Sequence, residues 1–252
     1  REAAKMEDVF AAVHLGDYLY EYARGGYASA DAAALGREVV PDAELIALRD
    51  YRQRFAQYRT DGDLQALHAA MPMIAVWDDH EITNDTWREG AENHDPATEG
   101  SFAARKAAAL QAYHEWMPIR VANPSRLDQI YRSFTFGDLV DLHMLDTRLV
   151  GRDLQLSYDG VTNAAQLGAV LQSTANPARQ LLGSDQLNWL TARVAGSQAK
   201  WQMLGQQVLM GRMLIPAPLV LFQISFSNYV ALLQKAATNP TSLTSTEQAI
   251  LA

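Results

Sequence analysis

Three expected strands in this chain, two short apolar runs and one alternating arm, each stop abruptly at acid, and no other feature limits the possible folds as much. Val9 to Leu15 ends at Gly16-Asp17, Met73 to Trp77 at Asp78-Asp79-His80-Glu81, and Leu139 to Leu145 at Asp146-Thr147-Arg148. Apolar runs of this length read as buried strands, and amphipathic helices lie between them. Leu45, Leu48, Tyr51 and Phe55 recur at spacings of three and four within a helix expected over Ala43 to Tyr58, and a second helix is expected across Leu64 to Ala70. Ala103, Ala107, Leu110 and Tyr113 set the apolar face of an Ala-rich helix from Phe102 to Trp116, ended by Pro118. Ile130 to Phe136 and Leu139 to Leu145 alternate around Gly137-Asp138, the pattern of a β-hairpin. Strands alternating with helices place the chain in the α/β class, and no shift in composition marks a linker, so a single domain over residues 1–252 is expected.

Further along, Gly151 to Ala178 is rich in Gly, Asn, Ser and Thr and reads as a long surface excursion. Ser184, backed by Asp185, is expected to cap a helix reaching about Ala195, Trp201 to Met210 to form a strand, and Thr244-x-x-Glu247 to act as a capping box. Met213 to Phe226 is apolar but broken by Pro216, Pro218, Gln223 and Ser225, short of the roughly 18 to 20 residues of a membrane span. Arg1 to Met6 is too short and too polar to read as a signal peptide. A formal net charge of −8, with no long run of one sign, argues against broad adhesion to nucleic acid or anionic membrane. Phosphate chemistry in so acidic a chain calls for metal ions or a few local arginines. The absence of cysteine excludes thiol nucleophiles, thiolate zinc sites, iron–sulfur clusters and disulfides.

Candidate chemistry gathers in two segments. In His14-Leu15-Gly16-Asp17-Tyr18-Leu19-Tyr20-Glu21-Tyr22 a strand runs into a glycine that permits a sharp turn, leaving Asp17 beyond the sheet edge. A carboxylate there can bridge two cations, one on each oxygen, and a phenol such as Tyr20 ligates well only a strongly polarising ion such as ferric iron. In Trp77-Asp78-Asp79-His80-Glu81-Ile82-Thr83-Asn84, two adjacent carboxylates and a histidine repel or compete unless a cation or a hydrogen-bond network offsets them. Each segment alone is open to a plainer reading, as an ordinary strand-to-loop turn or as a charged turn with His80 capping a helix. Both lie at the carboxyl ends of strands, where α/β sheets build their sites.

These two segments resemble the signatures of the PhoD-like alkaline phosphatases, a branch of the calcineurin-like metallophosphoesterases. Phe136-Gly137-Asp138, Leu145-Asp146-Thr147-Arg148, Gln186-x-x-Trp189-Leu190 and Trp201 with Gly205-Gln206-Gln207 extend the resemblance, which covers about Asp8 to Met210. It implies a four-layer α/β/β/α sandwich of two mixed sheets with a metal centre at the sheet ends. Asp17 would be the carboxylate shared between metals, Tyr20 the phenolate on ferric iron, Asp79 and Asn84 further metal ligands, and His80 the proton donor to the leaving oxygen. The implied cofactors are Fe3+ and Ca2+, with other divalent cations possible. The implied reaction is attack of a metal-bound hydroxide on a phosphomonoester, as in an alkaline phosphatase, with phosphodiesterase or phospholipase D-type activity as the alternative. The substrate would then be a small-molecule, lipid or polymer phosphate ester, with no nucleic acid as a stable partner and no membrane span, and the enzyme periplasmic or secreted.

The resemblance also implies an earlier strand carrying an Asp and a Cys ligand, and a later Gly-Asp-x-His type motif, neither of which this sequence contains. The chain is therefore expected to be truncated at both ends, holding the middle of the site, and a catalytically incomplete fragment is a further alternative. His68 and His114 are expected on helix surfaces or partly packed, while His143 could face either way. His94-Asp95 lies in a polar loop. Arg148 could approach a phosphate or pair with Asp146 or Asp141. Arg49, Arg52, Arg54 and Arg59 read as a solvated helix face around a packed aromatic stripe.

Overall fold

His14 and Ala75 end up side by side because two of the apolar runs pair as parallel strands, and this places their acidic continuations together. In the computed structural model, which describes residues 1–121, 123–158, 161–211, 215–221 and 223–251, the elements run β1 (Ala12–His14), α1 (Leu48–Tyr58), α2 (Gly62–Ala70), β2 (Met73–Ala75), α3 (Pro96–Glu99), α4 (Phe102–Trp116), β3 (Arg132–Phe136), β4 (Val140–Met144), α5 (Ala164–Thr174), α6 (Gly183–Gly196), β5 (Trp201–Gly205), α7 (Ala217–Val220), α8 (Phe226–Thr238) and α9 (Ser245–Leu251). Residue contacts gather into two compact units, Arg1–Gln155 with Arg179–Leu209, and Leu156–Ala178 with Met210–Ala252.

The first unit holds both sheets. β1 and β2 form a parallel pair with Ala12 opposite Met73 and His14 opposite Ala75. β3 and β4 form the expected hairpin, antiparallel with Phe136 opposite Val140, and β5 joins β4 in parallel. The resemblance implied two mixed sheets; the β3-β4-β5 sheet is mixed, and the β1-β2 sheet, as described, is purely parallel. Phe10, Val13, Leu15, Ile74, Phe136 and Met203 share one apolar seam between the two sheets. The main core lies over β2, where Tyr51 and Phe55 of α1 meet Leu110 and Tyr113 of α4, and Trp77 meets the Tyr113 ring edge-on at 5.4 Å. Burial of each such side chain stabilises by about 1.5–3 kcal/mol.

Several expectations are corrected here. The helix foreseen from Ala43 begins only at Leu48, because residues 43–47 lie alongside the Tyr20 to Tyr22 segment, with Leu45 N–H donating to the Glu21 carbonyl at 3.0 Å. α4 has the expected bounds but another face inward: Ala103 and Ala107 are exposed, whereas Phe102, Arg105, Ala109, Leu110, Ala112 and Tyr113 are buried. Arg105 can join that stripe because Glu44 at 2.6 Å, Glu99 at 2.9 Å and the Tyr51 hydroxyl at 3.1 Å match its charge and donors. Ser184 does not cap α6, which starts at Gly183 with Leu182 before it. The entry is set by backbone contact, since a Cβ on Gly151 would fall 2.2 Å from the Gly183 nitrogen. β5 stops at Gly205, five residues short of Met210, where Gln207 turns to bond Thr147 N–H at 3.1 Å and the Leu145 carbonyl at 2.8 Å.

Arg54 is not solvated. It is fully buried and donates to the carbonyls of Tyr20, Tyr22, Val40 and Pro41. Arg52 does face solvent, paired with Glu115 at 2.6 Å. His143 is buried, its Nδ1 2.7 Å from the Ser133 hydroxyl.

The second unit contains α5, within the stretch read as a surface excursion, and α7 to α9. Asp159 and Gly160 of that excursion, and Met213, Leu214 and Phe222 of the apolar stretch, lie outside the described residues. The capping box opening α9 is present, with Glu247 N–H donating to the Thr244 hydroxyl at 3.2 Å and Thr244 N–H to the Glu247 carboxylate at 2.8 Å. Among the described residues no helix is long and apolar enough to cross a membrane.

Candidate metal centre

The site begins with the parallel register of β1 and β2. Gly16 follows β1 with φ +112°, and a Cβ there would lie 2.2 Å from the Asp78 nitrogen, so the loops after the two strands can touch only if this residue is glycine. Asp17 follows in the left-handed region at φ +58°, a conformation that costs a side-chain-bearing residue about 1–2 kcal/mol, somewhat less for Asp.

Buried Glu81 holds this junction together. Its carboxylate accepts Asp17 N–H at 3.1 Å, Asp78 N–H at 2.7 Å and Tyr18 N–H, tying the first loop to the second. Burial pushes its carboxyl up to about 8 against those donors.

Asp17, Asp79 and His80 converge here, with one potential ligand atom from each within 4.8 Å of the others. Tyr20 joins them: its hydroxyl donates to Asp17 Oδ2 at 3.1 Å, and its ring stacks on the His80 imidazole at 4.2 Å. Burial and the neighbouring Asp17 carboxylate hold this phenol well above its ordinary value. Asn84 is placed differently. Its side-chain amide donates to Glu92 at 3.0 Å and its backbone N–H to Glu21 at 2.7 Å, with no direct hydrogen bond to Asp17, Asp79 or His80 among the described contacts.

Two residues organise the rest, Glu21, given no role in the sequence reading, and Arg148, read there as facing a phosphate or pairing with Asp146 or Asp141. Glu21 is fully buried and accepts from His80 Nδ1 at 2.7 Å, Asn84 N–H at 2.7 Å, Asn93 Nδ2 at 3.0 Å and the Thr83 hydroxyl at 3.1 Å. Burial alone would lower the His80 pKa, but the hydrogen bond and charge of Glu21 outweigh it and raise the imidazole above 6.5. Glu21 responds in kind: its burial penalty is outweighed by His80, Asn93 and Asn84, and its carboxyl falls below the usual range. A clue lay in the sequence, an acid between two tyrosines directly after a strand-end motif. Arg148 is the second organiser. It pairs with Asp78 at 2.5 Å, Asp79 at 3.3 Å and Asp85 at 3.4 Å, rather than with Asp146 or Asp141. Asp146 instead accepts the N–H groups of Arg148 and Leu149 at 2.8 Å each, fixing the turn that delivers the guanidinium.

The residues present fit a cation. Among the described residues, Asp17 Oδ1 is buried without a hydrogen-bond partner, and its other oxygen meets the Tyr20 hydroxyl. A carboxylate oxygen left bare beside a second carboxylate is destabilising unless something positive completes it. Hard oxygen donors with one imidazole suit Ca2+, iron or similar ions.

The α/β fold thus brings a glycine-turned Asp and an Asp-His pair together at the ends of adjacent parallel strands, as a metal-binding chain requires. Residues 1–225 match the PhoD-like phosphatase family, and the chain belongs to it. It is 40% identical over 210 residues to alkaline phosphatase D of Bacillus subtilis (strain 168), covering 82% of this chain and 33% of that protein. A solved structure of PhoD superposes with a TM-score of 0.72 at 40% identity, covering 84% of this chain and 38% of that one. The chain thus spans about a third of the length of the curated relative it matches.

Proposed function

We propose that this chain forms the central part of a phosphoric ester hydrolase, an alkaline phosphatase acting on phosphomonoesters, with residues 1–252 belonging to one metallophosphoesterase domain. The observation that carries this reading is the buried, partnerless Asp17 Oδ1 within the Asp17-Asp79-His80 cluster. The family match running from residue 1 to 225 supports the single-domain reading.

In this proposal Asp17, Tyr20, Asp79 and Asn84 would hold the ions, with Asp17 shared between them, Tyr20 on Fe3+ and Asn84 on the second ion, Ca2+. Bound there, the ions supply positive charge to the phosphoryl oxygens and lower the pKa of an attacking water. The chain's own residues do the remaining work. Glu81 and Gly16 hold the two loops in register, and Arg148 screens Asp78 and Asp79 from each other. Glu21 occupies His80 Nδ1, so Nε2 is the nitrogen that hands a proton to the departing ester oxygen. For Asn84 to serve, its amide must give up the bond to Glu92. The family resemblance supports export to the periplasm or medium.

The full-length protein, assayed for metal content and for turnover of 4-nitrophenyl phosphate and bis(4-nitrophenyl) phosphate, tests the reading. Bound metal with faster monoester turnover supports it, faster diester turnover favours the phosphodiesterase alternative, and no metal with no turnover of either ester contradicts both.

A further inference from the structure

The candidate metal centre adjoins an aromatic wall, of which Tyr22 and Tyr27 take no part in the hydrolytic chemistry. The Tyr20 ring lies between the His80 imidazole, with centroids 4.2 Å apart and planes at 29°, and the Tyr27 ring, at 5.6 Å and 17°. Tyr22 leans on both neighbours, 5.5 Å from His80 and 5.9 Å from Tyr27. On this column opens a cavity of about 440 Å³ whose lining includes Tyr20, Tyr22, Tyr27, Tyr58, Arg24 and Arg37. That volume suits a small organic group.

The lining chemistry selects what such a group would be. Its cations are already engaged: Arg24 faces Glu38 at 3.7 Å, Arg37 faces Asp61 at 3.5 Å, and a third lining residue, Arg54, is committed to four backbone carbonyls. A second phosphate therefore finds no free positive charge there. Tyrosine faces and alanine methyls remain, a surface for a flat, uncharged ring. Tyr27 is 69% exposed although it stacks on the column, so a ligand ring laid against it buries apolar area now facing water.

We propose that this cavity is the leaving-group subsite, taking the planar aromatic part of an aryl or heteroaryl phosphate ester. The proposal rests on the phosphoesterase reading above, in which His80 protonates the ester oxygen. The alcohol half of the ester would then depart beside His80, against which Tyr20 and Tyr22 pack.

The test compares phenylphosphonate with methylphosphonate, non-hydrolysable probes that differ only in the ring, by calorimetric titration of the full-length, metal-loaded protein. The wild type is expected to bind the phenyl compound about tenfold more tightly, a preference equivalent to about 1.4 kcal/mol. Tyr27→Phe keeps this ratio, and Tyr27→Ala brings it to about twofold or less by removing one stacking face. Unchanged methylphosphonate affinity in Tyr27→Ala shows that the site itself is intact. A parallel readout is kcat/KM, which should fall in Tyr27→Ala for phenyl phosphate and not for glycerol phosphate. Equal affinities of the wild type for the two probes, or a ratio untouched by Tyr27→Ala, would overturn the subsite while ester hydrolysis leaves the phosphoesterase reading standing. If neither phosphonate bound and no ester were hydrolysed, that reading would fall and the subsite with it.

Discussion

Replacing Arg54 with alanine should destabilise the protein by several kcal/mol. The guanidinium donates to the carbonyls of Val40 at 3.1 Å, Tyr22 at 3.1 Å, Pro41 at 3.2 Å and Tyr20, so it clamps two separate loop segments onto the helix. A hydrogen bond from a charged donor contributes about 1.5–3 kcal/mol net. Alanine removes the donors of all four carbonyls, those of half-buried Tyr20, Tyr22 and Pro41 and of exposed Val40, while returning the guanidinium to solvent recovers part of its burial penalty. The balance is a loss of about 3–5 kcal/mol. Arg54→Lys keeps the charge but concentrates its donors at one point, and should lose about half as much. Urea unfolding of full-length protein, followed by tryptophan and tyrosine fluorescence, gives both values from the midpoint shift at constant slope. A loss below about 1 kcal/mol for Arg54→Ala would show that the carbonyl clamp is not what holds the Tyr20 to Tyr22 segment.

Gly16→Ala combines a forbidden backbone angle with a Cβ placed 2.2 Å from the Asp78 nitrogen, so the two loops must separate. A loss of about 3–5 kcal/mol, together with reduced metal content by elemental analysis, is expected, and a wild-type melting temperature would contradict it. His114 gives a pH signature away from the site. Burial pulls its pKa below the ordinary 6.5, with Nε2 donating to the Leu127 carbonyl at 2.9 Å and Nδ1 buried without a partner. The unfolded chain therefore takes up this proton first, so the contribution of His114 is full above about pH 6.5 and shrinks as the pH falls toward the folded value. His114→Gln should flatten the fall in unfolding free energy between roughly pH 7 and pH 5; an identical slope in both proteins would refute the assignment.

The strand-end acids were legible because two local signals coincide in them, an apolar run and an abrupt carboxylate, and parallel pairing then needs only the register of His14 with Ala75 to bring Asp17 beside Asp79. α4 was legible in extent for a similar reason, its apolar spacing and Pro118 stop being local. Its inward face was not, because Arg105 reads as solvent-facing until Glu44, far away in sequence, is known to meet it. Arg54 was misplaced on the same ground: its acceptors are backbone carbonyls, which carry no sequence signature. Glu21 and Arg148 act across distances of 59 to 72 residues, so neither role could be read from neighbouring residues. Asn84 shows the reverse, since motif position assigns it to a metal while the fold hydrogen-bonds its amide to Glu92.

The central claim is that the bare oxygen of Asp17 belongs to a cation, and metal content tests it most directly. Full-length wild type and Asp17→Asn, purified side by side and analysed by inductively coupled plasma mass spectrometry, should differ: bound metal in the wild type, and a large loss with the amide, which keeps the shape but not the charge. Equal, stoichiometric metal in both proteins would contradict the account.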